Sequence, residues 1–500
     1  MARKSGILFH PTSLPGGLGI GDFGQWAYRF VDFLAESGQQ LWQILPLGPT
    51  GFGSSPYQTW SSVAGNPLLI NLDMLVGQGL LSAEDMSEAA QASSSDASRV
   101  DFDAVAHFKQ PLLRKAALVF LEKRPDGKFQ EFETFCLQNA SWLDSFARFA
   151  ALREINHEVM WTEWSPSATA DEQTIAEHKF IQFEFHRQWL ALKEYCNKRG
   201  IQIIGDIPIF MAHDSADVWA NRRLFDLDED GKPLNIAGVP PDYFSKTGQL
   251  WGNPLYRWDE IEKDGYAWWI NRIRSAMRMT DIIRLDHFRG FEKFYQIHAG
   301  AHNAVDGTWI RGPGDRLFQA LSNALGKLPF IAEDLGYITP AVRALRDRWG
   351  FPGMRVMQFG FGGESRDNPH TPYNFIRNCV VYTGTHDNDT TAGWFKSAAT
   401  LDAGEDARAY MGSMGDEPVW DFIRLALGTV AETVILPMQD VLGLGSEARM
   451  NTPSTTENNW KWRITEDALQ PALAAKLRRL TRRSGRYDIG TQASSSPVQM

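Results

Sequence analysis

The sequence predicts an α/β fold: a (β/α)8 TIM barrel with large rim insertions forming subdomains and no C-terminal β-sandwich domain. Three observations carry this. Short apolar runs that end in polar or charged residues recur eight times, helical patterns lie between most of them, and carboxylates stand at or just past the C-terminal ends of three of them. The runs are Gly6 to His10, Leu41 to Pro46, Ile201 to Ile207, Asp281 to Asp286, Pro329 to Glu333, Met354 to Phe359, Cys379 to Thr383 and Thr433 to Met438. Strands covered by helices on both faces read as continuous β-rich apolar runs, and alternation with helices implies βαβ units. Eight such units close into a barrel.

One helix is legible in detail. Ile181, Phe185, Trp189 and Leu192 repeat at helical spacing, and Gly200 follows Lys198-Arg199 as a stop before the third run. Two connections, from about residue 49 to 200 and from about 207 to 280, exceed an ordinary βα link and are expected to build a helical and a loop-rich subdomain on the catalytic rim. The first is helix-rich around Phe108 to Arg124 and Phe129 to Arg153, with a Ser-rich bridge at Ser93 to Ser98 expected to be flexible. The catalytic barrel is thus expected to span residues 1–487. Residues 488–500, which include Ala493-Ser494-Ser495-Ser496-Pro497, are expected to be a disordered tail.

Composition narrows the function. A chain of 500 residues that is 43% hydrophobic can bury a large core. A net charge of -10, from 50 basic and 60 acidic residues, argues against nucleic acid, whose binding draws on clustered Lys and Arg. Cys136, Cys196 and Cys379 lie far apart with no CxxC pair, so neither a disulfide framework nor a thiolate metal site is expected. Met1 to Ser5 run directly into the first strand without an apolar leader, and no apolar stretch is long enough to cross a bilayer. The expectation is a cytoplasmic protein with no membrane partner. Most of the 18 tryptophans are expected to serve the core, although those in loops offer faces for sugars.

The chemistry is concentrated in Arg284-Leu285-Asp286-His287, Glu333-Asp334 and His386-Asp387, all at the C-terminal ends of predicted strands. In a barrel this rim gathers catalytic groups from different strands. Glycosidic cleavage needs paired carboxylic residues, one to protonate the leaving oxygen and one to meet the oxocarbenium-like carbon. Arg284 and Asp286 are two residues apart and share a face of their strand, so the guanidinium is placed to hold Asp286 ionised as a nucleophile. Glu333 follows Pro, Phe, Ile and Ala, a setting that raises a carboxyl pKa and suits a general acid. A single Arg-x-Asp is more often an ion pair, and Glu-Asp after a strand more often a helix cap. Three acids at three strand ends shift the reading toward catalysis.

In order along the chain stand His10-Pro11-Thr12-Ser13-Leu14-Pro15, Ser55-Pro56-Tyr57, Gly205-Asp206-Ile207-Pro208, the run from Pro240 to Tyr256, Arg284 to Gly290, Ala332 to Gly336, and Thr383-Gly384-Thr385-His386-Asp387-Asn388. With these segments the chain, from near residue 5 to about 485, resembles the 4-α-glucanotransferase (amylomaltase) family, family 77 of the glycoside hydrolases. The resemblance implies that Asp286 attacks the anomeric carbon, that Glu333 serves as acid then base, and that Asp387 binds the sugar and stabilises its distorted ring. It also implies that Tyr57, Asp206, Arg284 and His386 are the remaining ligands of that sugar. Retention implies carboxyls roughly 5 to 5.5 Å apart. The physics of the site leaves open whether water or a sugar resolves the intermediate; the resemblance implies a sugar.

The segment from Pro241 to Pro254 resembles the family's mobile loop over the active site. Gly248 and Gly252 permit hinges, while Tyr243, Phe244 and Trp251 offer faces for an acceptor glucan, and Asn253 is a further candidate substrate-binding residue. Asn451 to Trp462 resembles the family's closing loop after the eighth strand, with Ser454 standing where the pattern has Gly. Expected substrates are maltooligosaccharides, amylose and starch- or glycogen-derived glucans. No cofactor is needed, because the cleaved linkage is conserved in the new one.

Other signals are weaker. Gly19 to Gly24 matches GxGxxG, but Pro11 and Pro15 separate it from the strand and Asp22 would face a pyrophosphate, so an ordinary βα loop is expected. His298 and His302 lack the Glu of HExxH and are expected to be an exposed pair. The alternatives are an α-amylase-like hydrolase using the same acids and a non-catalytic glucan-binding protein on a retired barrel.

Overall fold

A computed structural model describes residues 3–92, 96–241, 246–363, 366–397, 400–412 and 417–487. In chain order the described strands are β1 (Lys4–Leu8), β2 (Leu41–Gln43), β3 (Gln202–Ile207), β4 (Asn235–Val239), β5 (Gln249–Pro254), β6 (Ile282–Leu285), β7 (Lys293–His298), β8 (Thr308–Arg311), β9 (Phe330–Ala332), β10 (Gly353–Val356), β11 (Cys379–Tyr382) and β12 (Thr433–Pro437). Eight of them close a barrel in the order β1-β12-β11-β10-β9-β6-β3-β2. Each overlaps one of the eight apolar runs. The barrel is parallel, and β12 returns onto β1 with Lys4 opposite Thr433 and Leu8 opposite Pro437. Its strands are buried on both faces: Ile7, Trp42, Ile203, Ile283, Met354, Val381 and Ile435 all lie within the core. That double burial is why the strands read as unbroken apolar runs.

Register decides which polar groups meet at the rim. β3 pairs with β6 so that Asp206 lies opposite Arg284, and β6 pairs with β9 so that Leu285 lies opposite Ala332. The next residue on β6 is Asp286 and the next on β9 is Glu333. Adjacent strands therefore deliver both carboxylates to one edge of the barrel.

Between β2 and β3 stand three long helices, Phe102–Lys123, Lys128–Ile155 and Glu172–Lys198. Asp101 and Asp171 cap two of them, accepting from the backbone N–H of Ala104 and Thr174. Their facing sides bury aromatic rings, with Phe120 and Phe180 centred 4.5 Å apart. The helix into β3 buries Ile181, Phe185, Trp189 and Leu192, and Gly200 follows it with φ +74°. The GxGxxG segment forms part of the loop after β1. There Asp22 receives hydrogen bonds from Gly24 and Asn71 and lies 3.7 Å from buried Lys109, which ties the barrel to the helical excursion. Within the Ser-rich bridge, residues 93–95 lie outside the described residues, as does the chain from 488 onward.

The second excursion differs from its expected loop-rich character. β4 and β5 join β7 and β8 in an antiparallel sheet of order β5-β4-β7-β8. The latter half of the segment expected as a mobile loop is therefore a strand. β4 supplies its hydrogen-bonding edge, with Val239 opposite Gln249 and a register shift between Ile236 and Gly238. Gly248 enters that strand at φ +67°, where an added Cβ would sit 2.3 Å from the Val239 carbonyl oxygen. Only glycine fits there. Tyr243 and Phe244 lie outside the described residues. Cys136, Cys196 and Cys379 are free thiols. Among the described residues no helix is long and apolar enough to cross a membrane.

Candidate active site

Seven of the predicted residues meet at the C-terminal rim. Arg284 is their hub: its Nη1 lies 2.9 and 2.7 Å from the two Asp206 oxygens and 2.8 Å from Asp286 Oδ1. Its Nε faces the Met354 sulfur at 3.4 Å. Tyr57 donates from its hydroxyl to Asp206 Oδ2 at 2.9 Å, completing a chain from Tyr57 through Asp206 and Arg284 to Asp286. Arg284 and Asp206 are shielded from water and Tyr57 is partly buried, whereas the Asp286 side chain keeps 27% of its surface open. The guanidinium is thus spent on aiming an accessible carboxylate, with a buried one holding it from behind. Burial pushes the Tyr57 hydroxyl well above its usual pKa, so it stays a donor. Burial also outweighs Arg284 at Asp206, pushing that carboxyl up to about 7.

Glu333 is held by backbone from two loops. Its Oε2 accepts from the His287 N–H at 2.7 Å and its Oε1 from the Leu335 N–H at 2.8 Å. Those donors and Arg284 favour the carboxylate, while burial and the charge of Asp286 favour the acid; burial is the largest effect and pushes Glu333 up to about 8. His287 adopts φ +49°, a left-handed conformation uncommon outside glycine. That turn directly after Asp286 aims the His287 N–H at Glu333. Burial lowers the His287 imidazole to about 4, so the ring is neutral near neutrality.

His386 and Asp387 follow β11 through the turn Thr385 to Asn388. His386 Nε2 lies 3.4 Å from Asp387 Oδ2, and the His386 ring stacks on Tyr57 with centroids 5.2 Å apart and planes at 16°. Burial lowers the His386 pKa. The Asp387 side chain keeps 46% of its surface open, which leaves it free to meet a ligand.

The closing segment after β12 supplies residues that the sequence reading passed over. Asn451 donates to Asp387 Oδ1 at 2.6 Å, and Arg449 donates to the backbone oxygen of Asp387 at 2.7 Å. Trp460 packs beside both Tyr57 and His386, with centroids 5.8 and 6.0 Å away. Their signal was position alone, since the loop after the eighth strand borders the same rim. Ser454 stands in this turn at φ +65°, so it takes the backbone shape that glycine adopts freely.

The remaining predicted contacts lie on β5. Trp251 meets the His287 ring edge-on with centroids 4.8 Å apart, and its Nε1 donates to Gln249 at 3.1 Å. Asn253 is buried near the end of the same strand. Among the described residues no group of three or more His, Cys, Asp or Glu side chains is placed to hold a metal ion.

A closed parallel barrel with these carboxylates converging on its rim defines an enzyme of glycosidic-bond chemistry. The chain belongs to the 4-alpha-glucanotransferase family, whose model matches residues 9–469. It is 46% identical to a 4-alpha-glucanotransferase of Synechocystis sp., covering 97% of this chain and 98% of the relative. Against the enzyme of that name from Thermus thermophilus it is 45% identical, covering 96% of this chain and 98% of the relative. Among solved structures, amylomaltase from Streptococcus agalactiae in complex with acarbose superposes with a TM-score of 0.93 at 41% identity, covering 97% of this chain and all of that one.

Proposed function

We propose that this 4-α-glucanotransferase moves 1,4-linked glucan segments from a donor to the 4-hydroxyl of an acceptor by retaining double displacement. An Asp286 oxygen attacks C1 of the donor unit, and the departing 4-oxygen takes the proton of Glu333. The acceptor 4-hydroxyl then gives its proton to the Glu333 carboxylate as its oxygen attacks C1 and Asp286 leaves. One linkage breaks and one forms. Asp387 and His386, with Tyr57, Asp206 and Arg284 behind them, bind the reacting sugar; hydrogen bonds to its hydroxyls that tighten in the transition state lower the barrier.

The observation that carries this reading is the pair of opposite environments on adjacent strands. Asp286 is aimed by a guanidinium at 2.8 Å, while Glu333 is buried and held toward its acid form. Trp251 and Asn253 on β5 border the acceptor, and with them Tyr243 and Phe244 are the candidate acceptor contacts that favour sugar over water. Maltooligosaccharides, amylose and starch- or glycogen-derived glucans are the substrates. We read residues 1–487 as one catalytic unit bearing rim subdomains at about 49–200 and 207–280, working in the cytoplasm.

Chromatography of products from maltotriose tests the reaction. Glucose together with longer oligosaccharides, at constant reducing ends, is the expected outcome; rising reducing ends without longer products would favour a hydrolase. A fluorinated glycosyl donor should label the peptide containing Asp286, and label on any other peptide removes its nucleophilic role.

A further inference from the structure

The acid/base loop carries an aromatic ring beyond the catalytic groups. Tyr337 lies four residues past Glu333, between β9 and the helix Pro340–Arg348, and keeps 77% of its surface open. Leaving so large a ring in water forgoes substantial hydrophobic burial. Its loop is nevertheless tied down. Gly336 turns the chain at φ +79°, the Leu335 N–H is engaged by Glu333, and Arg289 donates to the Tyr337 backbone oxygen.

Arg289 is buried and does more than hold that oxygen. Its guanidinium lies 3.7 Å over the Trp309 ring and 5.4 Å from the centroid of the Tyr337 ring. Trp309 belongs to β8 and packs on Tyr295, with centroids 5.0 Å apart. A stack of Trp309, Arg289 and Tyr337 therefore runs from the small sheet to the loop of the acid/base residue. Arg289 also stands three residues past Asp286, so one side chain links both catalytic loops to the exposed ring.

Chemistry identifies the side of the cleft. In the proposed reaction both the leaving and the entering 4-oxygen exchange a proton with Glu333, so the acceptor chain lies on the Glu333 side. We propose that Tyr337 is an acceptor platform: its ring stacks on a glucose unit of the incoming 1,4-α-glucan beyond the unit that supplies the attacking hydroxyl. The proposal rests on the transferase mechanism above and deepens it. The apolar C–H face of a pyranose matches an aromatic face, and a ring positioned by Arg289 loses little freedom on binding.

The test compares acceptors of two lengths with one α-glycosyl fluoride donor. Glucose reaches only the attacking position, whereas maltotriose extends past it. Tyr337→Ala lowers the ratio of kcat/KM for maltotriose to that for glucose by about five- to tenfold, the scale of one aromatic face. Tyr337→Trp, which keeps a face, holds the ratio within about twofold of the parent. An unchanged ratio in the Ala variant, or a Trp variant that loses the ratio as fully as Ala, overturns the platform. Equal loss with both acceptors would reveal a ring that only supports its loop, and also overturns it. Should the parent enzyme transfer to neither acceptor, the transferase mechanism itself falls, an outcome visible before any variant is made.

Discussion

Replacing Glu333 by Gln is the perturbation that separates an acid/base role from a structural one. Burial and the Asp286 charge raise this carboxyl from 4.5 to about 8. At pH 7 a group at 8 is about 90% protonated and a group at 4.5 about 0.3%, so the site multiplies the acid form about 300-fold. For a glucan donor, whose leaving oxygen needs a proton, kcat/KM should hold through neutrality and fall about tenfold per pH unit well above 8. Glu333→Gln should lose about 10²- to 10⁴-fold in kcat/KM, the usual worth of a general acid. An α-glycosyl fluoride, whose fluoride departs without a proton, should recover most of the loss in the first step.

The assay is initial glucose release from maltotriose across pH, with fluoride release from the glycosyl fluoride alongside. Asp206 complicates the profile, because burial pushes it up to about 7 despite Arg284, and the Asp286 charge raises both it and Glu333, so their titration steps overlap. The Gln variant resolves this: a limb that survives in it belongs to Asp206. Glu333 is not the acid if the variant keeps the parent's high-pH limb intact, or if the parent's limb centres near 4.5.

The same burial has a cost to stability. A carboxyl whose folded pKa is raised above its unfolded value costs nothing below the unfolded pKa, and the cost grows with pH until it is complete above the folded pKa. Glu333→Gln should therefore raise Tm, with a gap over the parent that widens between pH 5 and 8 in thermal melts. Asn451→Ala removes the 2.6 Å donor to Asp387 and should lower kcat/KM about ten- to a hundredfold, as expected of a hydrogen bond to a charged group, with the circular dichroism spectrum unchanged. Trp251→Ala should lower transfer relative to hydrolysis, read as oligosaccharide products against free reducing ends; an unchanged ratio rejects Trp251 as part of the acceptor border. Ser454→Gly relieves a left-handed serine worth about 1–2 kcal/mol but adds unfolded-state freedom worth about 0.5–1 kcal/mol, so Tm should hold or rise slightly. Ser454→Val, β-branched at the same φ, should lower it.

The barrel was legible because each strand is covered on both faces and so is mainly apolar until it reaches the rim. For the same reason Asp286 and Glu333 stood out as the residues that end apolar runs. The four-stranded sheet was not legible. β4 reads Asn-Ile-Ala-Gly-Val and β5 reads Gln-Leu-Trp-Gly-Asn-Pro; both are broken by glycine, and β5 has no β-branched residue. β5 pairs only with β4, and β4's other partner, β7, lies beyond a barrel strand, so the pairing that anchors the sheet is non-local. Asn451 and Trp460 were hidden by irregular backbone. Ser454, Asn458 and Trp460 all take positive φ, and a segment of such turns has no periodicity to read.

In the proposed mechanism one carboxyl, Glu333, serves as acid and then as base, and the geometry suits both roles. Burial alone would leave Glu333 a strong acceptor with no support for its charge. Two backbone donors, from His287 and Leu335, favour the carboxylate it becomes once the proton has left. A third contact, from the Phe288 N–H to the Glu333 backbone oxygen at 3.0 Å, fastens the loop of Asp286 to that of Glu333. The relation between Asp286 and Glu333 thus depends on main chain, and the left-handed His287 is the conformation this requires. Such a frame serves hydrolysis and transfer equally well. On the proposed mechanism the choice between water and sugar is then made where the cleft borders the acceptor, for which Trp251 on β5 and Tyr337 on the loop after β9 are the proposed residues.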